Sequence, residues 1–350
     1  MADKTNPGRL FEDFRVGQEL RHAPPRTMTR ADQTLYIALT GARFPLHCSD
    51  EFARRLGCRE APLDDLLVFN IVFGRTVADI SQNAVANLGY HPGRFGVPVY
   101  PGDTLGAGST VIGLKETSRR QSGVVYVRSA ARNQRGESVL DYVRAVLVPK
   151  RDQESPAPEA VVPDLPDAVP PSELGVPAGL DLSGYDAGES GSPFRWDDYL
   201  EGERIDHVDG MTIEESDHMT ATRLYQNSAR AHFDELRAKS TRFGRRLVYG
   251  GHVMSVARAL SFNGLANAFR IASINGGGHL APVFAGDTIY AWSEVLEKAR
   301  LAGRADAGAL RLRTVALKNR TAARFPRLAA GGGYESDVVL QLDYTVLVPR

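Results

Sequence analysis

Proton transfer near neutral pH calls for an imidazole or a tuned carboxylate, and this sequence supplies eight imidazoles: His22, His47, His91, His207, His218, His232, His252 and His279. Such a group does little alone. When a proton leaves or joins the carbon beside a carbonyl, the oxygen gathers negative charge that another group must bear. The turn Val248-Tyr249-Gly250-Gly251-His252 offers main-chain donors for that task. It opens an apolar run that reads as a helix, and the first amides of a helix are unpaired at the positive end of its dipole. Glycine there lets an oxygen approach the main chain closely. Arg223 and Arg230 stand near His232 in sequence and either clamp a substrate carboxylate or are simply solvated. Other chemistries lack their residues. Cys48 and Cys58 are too few for a disulfide framework, a zinc quartet or an iron–sulfur site and read as reduced thiols, and no His/Cys/carboxylate cluster has metal-ligand spacing. The glycine runs at 276–278 and 331–333 lack the strand and helix context of a dinucleotide site and read as loops.

An internal duplication sorts these candidates. Phe11-Glu12-Asp13-Phe14-Arg15-Val16-Gly17 reads like Trp196-Asp197-Asp198-Tyr199-Leu200-Glu201-Gly202, and the offset of 185 residues holds without a gap to His47 and His232. Asp13/Asp198, Gly17/Gly202, His22/His207, Thr27/Thr212, Asp32/Asp217 and Leu39/Leu224 are identical along it. Pro98 to Leu105 matches Pro282 to Ile289, and the copies end alike at Leu147-Val148-Pro149-Lys150 and Leu347-Val348-Pro349-Arg350. At the register of Gly251 the first copy has Asp64-Asp65-Leu66, which would repel an oxyanion and block its approach. The imidazoles at 47 and 232 correspond, so position alone does not choose between them.

Each copy must hold such residues on a folded frame. Thr212 and Glu215 have capping-box spacing before a helix that stops near Asn227, and the first-copy equivalent runs from about Thr29 to Leu39. The segments 66–73 and 252–260 are apolar nearly all round and read as buried central helices. Most of the remainder is β-patterned: 124–127 and 139–148 in one copy, 288–295, 310–315 and 338–348 in the other. A long helix covered by several antiparallel strands is the hotdog arrangement, so the expectation is an α+β fold with two hotdogs in tandem, at residues 1–150 and 191–350. Between them, 151–190 carries seven prolines and reads as an extended linker.

Bulk properties narrow the partners. With 43% hydrophobic residues the chain can fill real cores, and 42 basic against 42 acidic residues leave no field for nucleic acid or an anionic membrane. Without a signal-like N-terminus or an apolar run of about 18 residues, a cytoplasmic protein is expected.

Thr-Gly-Ala-Arg-Phe-Pro-Leu-His at 40–47 and Tyr-Gln-Asn-Ser-Ala-Arg-Ala-His at 225–232 resemble the signature Gly-Asp-x-Asn-Pro-x-His of the MaoC-like (R)-specific enoyl-CoA hydratases. In that family an aspartate and a histidine five residues later hold and activate water. The resemblance implies that His232 is the catalytic imidazole, that Gly250 and Gly251 form the His-Gly turn into the central helix, and that the first copy supplies part of a CoA tunnel. Ala42 stands at the acidic position of the first copy, which disables it; Asn227 stands there in the second and can orient water but not act as a base. Longer strings are similar to a narrower family, the mesaconyl-CoA hydratases, also called β-methylmalyl-CoA dehydratases: LLVFNIVFG at 66–74, NAVANLGY at 83–90, RFGVPVYPGDTL at 94–105, ATRLYQNSARAHF at 221–233, RALSFNGLANA at 258–268 and FAGDTIYAWSE at 284–294. What this implies is reversible hydration of mesaconyl-CoA in a bacterial carbon-assimilation route such as the ethylmalonyl-CoA pathway. The acyl-CoA is then the partner, CoA is part of the substrate, no separate cofactor is expected, and a homodimer is the expected assembly. A hydratase of another enoyl-CoA, a thioesterase and a non-catalytic acyl-CoA-binding hotdog remain alternatives.

Overall fold

The computed structural model describes residues 4–350. Its first half runs β1 (Glu19–Thr27), α1 (Arg30–Thr40), α2 (Asp65–Thr76), β2 (Ala86–Phe95), β3 (Thr104–Glu116), β4 (Ser122–Arg132) and β5 (Ser138–Pro149). The second repeats the order as β6 (Arg204–Thr212), α3 (Glu215–Leu224), α4 (Gly250–Leu260), β7 (Arg270–His279), β8 (Thr288–Arg300), β9 (Ala307–Lys318) and β10 (Val338–Pro349), with shorter helical turns between. The strands form one ten-stranded antiparallel sheet in the order β1-β3-β4-β5-β2-β7-β10-β9-β8-β6. Each half contributes five neighbouring strands, and corresponding strands stand at equal distances from the seam between β2 and β7. This is a double hotdog.

The local reasons are visible in each copy. Thr29 caps α1 in a reciprocal box with Asp32, and Gly41 ends the helix in the left-handed region at φ 69°. The α2 positions Leu66, Leu67, Phe69, Ile71 and Val72 are fully buried, as the all-round apolar pattern predicts. The box expected from Thr212 and Glu215 does not form. The Thr212 hydroxyl instead pairs with that of Thr288 across the sheet at 2.7 Å, and α3 starts beyond Glu214 without a side-chain cap.

The two central helices touch at positions that correspond in the repeat: Asn70 Nδ2 donates to Ser255 Oγ at 3.0 Å and to the Gly251 carbonyl at 3.2 Å. Beneath the sheet their side chains merge into one apolar core, with Phe69 and Phe73 in the same cluster as Met254 and Val256.

Gly276 to Gly278, expected as a loop, lie inside β7. Gly277 pairs with Tyr90 of β2 on one side and Leu342 of β10 on the other, with φ at +111°. A Cβ there would stand 2.1 Å from the Gln341 carbonyl oxygen, so the glycine allows the bulged strand to complete the seam. The proline-rich segment is tied down at several points. Val161 bridges to Leu114 of β3, and Leu180, Leu182 and Tyr185 pack with Phe52 and Phe269.

Candidate active site

A cavity of about 330 Å³ draws its lining from both halves: Asn227, His232, Tyr249, Gly250 and His279 from the second, Phe73, Val77, Tyr90 and Arg144 from the first. Its lining also includes the exposed Val85 and Arg242, so it reaches the surface.

His232 ends a short 3-10 turn, Arg230–His232, in the segment between α3 and α4. Its Nδ1–H donates to the Leu247 carbonyl at 3.0 Å, which selects the tautomer and leaves Nε2 as an acceptor without a protein partner among the described residues. The ring lies against Tyr249, centroids 5.5 Å apart. The ring is largely covered by protein and lines the cavity. Enclosure by protein disfavours the imidazolium and outweighs the Leu247 carbonyl, pulling the pKa from 6.5 to about 4. The ring is therefore neutral at pH 7 and able to accept a proton.

Asn227 is buried five residues earlier, just past a residue with positive φ, Gln226 at 52°. Here the second half crosses α2 of the first over Gly74. A Cβ on Gly74 would lie 2.0 Å from the Tyr225 carbonyl oxygen and 3.2 Å from the Asn227 nitrogen, so the position of Asn227 depends on that glycine. Asn227 Oδ1 accepts from the Ala229 N–H at 2.9 Å, and among the described residues nothing engages Nδ2. That leaves an amide donor for a water.

At the start of α4 the cap residue is Tyr249, whose side chain makes no capping bond. The N–H groups of Gly250 and Gly251 donate to no protein acceptor among the described residues. The two glycines serve different contacts. A Cβ on Gly250 would come within 2.5 Å of the His279 ring, and one on Gly251 within 1.9 Å of Asn70 Oδ1. Only Gly250 lines the cavity; Gly251, expected as the cradle's glycine, is packed against the other central helix.

Neither arginine singled out in the sequence lines the cavity. Arg223 is exposed and reaches only Thr220 among the described residues, and Arg230 points to Asn83 at 3.4 Å, because the helix and turn that carry them present those positions away from His232. Two other residues do line it. His279 ends β7 with Nε2 3.1 Å from the Tyr90 hydroxyl, and burial pulls its pKa to about 4 with a contribution from His232. Arg144, fully buried on β5, is the second; a lone charge inside the run Tyr142-Val143-Arg144-Ala145-Val146-Leu147 was the available signal. No group of three or more His, Cys, Asp or Glu side chains among the described residues is placed to hold a metal ion, and no described helix is long and apolar enough to cross a membrane.

Comparison with known proteins bears on this geometry. The family model for mesaconyl-CoA hydratase matches residues 1–326. The chain is 59% identical to the β-methylmalyl-CoA dehydratase of Chloroflexus aurantiacus, over 100% of this chain and 99% of that protein. It is 56% identical to the mesaconyl-CoA hydratase of Cereibacter sphaeroides, over 99% of this chain and 100% of that one. Among solved structures, a protein of Chloroflexus aurantiacus described as a MaoC domain dehydratase superposes with a TM-score of 0.97 at 59% identity, covering 100% and 99% of the two chains. A Mycobacterium tuberculosis protein described as a double hotdog superposes at 0.76 with 23% identity over 98% and 99%, a likeness of fold alone.

Proposed function

Because the chain belongs to the mesaconyl-CoA hydratase family, we propose that it adds water reversibly to mesaconyl-CoA, giving β-methylmalyl-CoA, in the cavity between its two halves. The observation that carries this reading is the meeting, in one cavity, of a neutral imidazole with a free Nε2 and an uncapped helix start. Mesaconyl-CoA is the thioester of a methyl-branched unsaturated diacid. The carbon that takes the hydroxyl bears the free carboxylate, and the carbon beside the thioester bears the methyl.

In the hydration direction a water held by Asn227 Nδ2 gives a proton to His232 Nε2 while its oxygen bonds to the β-carbon. The double-bond electrons move toward the thioester, whose oxygen becomes enolate-like and accepts from the amides at the start of α4. The α-carbon then takes the proton available on His232, which returns the ring to neutrality. Dehydration reverses these steps. The test is turnover of mesaconyl-CoA by the purified protein, followed as water-dependent loss of enoyl absorbance. His232→Ala should lower kcat by roughly 10² to 10⁴-fold with the fold retained; undiminished turnover by the folded variant would remove the assignment.

A further inference from the structure

Arg144 is in an unusual position for a guanidinium. It is 0% exposed, and no carboxylate lies within ion-pair distance of it among the described residues. Its Nη2 donates to Thr76 Oγ1 at 2.8 Å and to Ser81 Oγ at 3.3 Å, and its plane stands over the Phe73 ring, 4.2 Å from the centroid. Nε and Nη1 have no hydrogen-bond partner among the described residues. A buried charge without a counter-ion is costly, so the fold retains this one against its own stability.

A place in the cavity wall separates Arg144 from another buried arginine. Arg75 is also buried with two unpartnered nitrogens, but it does not line the cavity, whereas Arg144 does. Phe73, which the guanidinium covers, is 5.7 Å from the Tyr249 ring, and Tyr249 is the ring against His232. The Tyr249 hydroxyl is itself buried without a hydrogen-bond partner among the described residues. Two unpartnered guanidinium nitrogens and one unpartnered hydroxyl thus belong to side chains of the wall that also carries the imidazole.

We propose that Arg144, on the half without a working imidazole site, anchors the free carboxylate of the substrate, with the Tyr249 hydroxyl as a second donor. The inference rests on the reading that a dicarboxylic thioester is hydrated here, and it makes Arg144 the determinant that separates such a substrate from a simple enoyl thioester. Nη2 is already committed to Thr76 and Ser81, which hold the group in place. The carboxylate supplies the missing counter-charge and, being attached to the carbon that is hydrated, fixes that carbon relative to His232.

The test compares full-length wild type, Arg144→Met and the control Arg223→Ala on mesaconyl-CoA and on (E)-2-methylcrotonyl-CoA, which has a methyl group in place of the carboxylate. Arg144→Met should lower kcat/KM for mesaconyl-CoA by roughly 10² to 10³-fold, the range for truncating one partner of a buried charged pair. It should leave the value for the methyl analogue within about threefold and melt no lower than wild type, since an unpaired buried charge has been removed. Arg223→Ala should change neither substrate. Equal losses on both substrates, or an unchanged preference for mesaconyl-CoA, would overturn the anchor while leaving the reaction in place. If Arg144→Met does not fold, Arg144→Lys decides by the same ratio: a loss confined to the carboxylate substrate supports the anchor, and a shared loss rejects it. Wild-type protein that leaves mesaconyl-CoA untouched would remove the functional reading itself and the anchor with it.

Discussion

The two halves hold their histidines in the same way and surround them differently. His47 Nδ1–H donates to the Pro62 carbonyl at 3.0 Å, as His232 Nδ1–H donates to the corresponding Leu247 carbonyl at 3.0 Å. Beyond that bond the copies part. In the first, Asp64 Oδ1 accepts the Leu66 N–H at 2.8 Å, capping the central helix from within. Asp65 stands at the position of Gly250, and its Oδ2 both accepts the Ile271 N–H at 2.8 Å and lies 3.9 Å from His47 Nε2. In the second, tyrosine and glycine replace these aspartates and the helix start stays open. Ala42 completes the contrast where Asn227 stands. The lesson is that the same imidazole clamp can stand beside a helix start closed by the protein's own acids in one half and beside an open one in the other. The first half still supplies Phe73, Tyr90 and Arg144 to the cavity that His232 lines.

The contrast is open to direct attack. The largest expected effect is the difference between two histidine substitutions: His232→Ala loses roughly 10² to 10⁴-fold in kcat, whereas His47→Ala keeps wild-type turnover per folded molecule, measured with mesaconyl-CoA alongside circular dichroism. Comparable losses from both would erase the asymmetry. Next comes Gly250→Asp, which copies residue 65 into the second half and fills the cradle with an acid. It should reduce kcat by on the order of 10² to 10³-fold, as removal of an oxyanion donor does, and retained activity would show that the helix start bears no charge in the reaction. Asn227→Ala, which copies residue 42, removes one hydrogen bond to the water and should cost about tenfold in kcat/KM; a loss equal to that of His232→Ala would make Asn227 a partner in proton transfer instead.

The smallest effect is on pH dependence. Burial holds His207, His232, His252 and His279 at about 4, while the unfolded chain protonates near 6.5. Between those values the unfolded state binds protons that the folded state does not. The contribution to stability is therefore complete above about pH 6.5 and is lost as pH falls toward 4. Urea unfolding at pH 7.5 and 5 should show a lower midpoint at pH 5, and kcat/KM for hydration should show no acid limb at 6.5. An acid limb there would mean that the His232 ring is hydrated rather than enclosed.

Repetition made most of the architecture legible. The offset that aligns His47 with His232 also aligns Asn70 with Ser255, the pair that joins the two central helices. The seam was hidden, because β2 and β7 carry Gly89, Gly93 and Gly276 to Gly278 and so lack the alternation that marks a half-buried strand. Reading 276–278 as a loop also hid His279, which that strand delivers to the cavity. Asn227 and His232 were readable from their spacing within one segment. Arg144 was not, since nothing local ties a strand residue of the first copy to an imidazole 88 positions later; only the folded sheet does. Gly74 escaped for a related reason, its neighbour across the interface being backbone from the other half.

The most direct measurement is a crystal structure of the His232→Ala protein with mesaconyl-CoA bound. The thioester oxygen is expected within hydrogen-bonding distance of the Gly250 amide, with the free carboxylate on Arg144. A substrate seated before His47, or one whose thioester oxygen faces away from the start of α4, would contradict the assignment of chemistry to the second half.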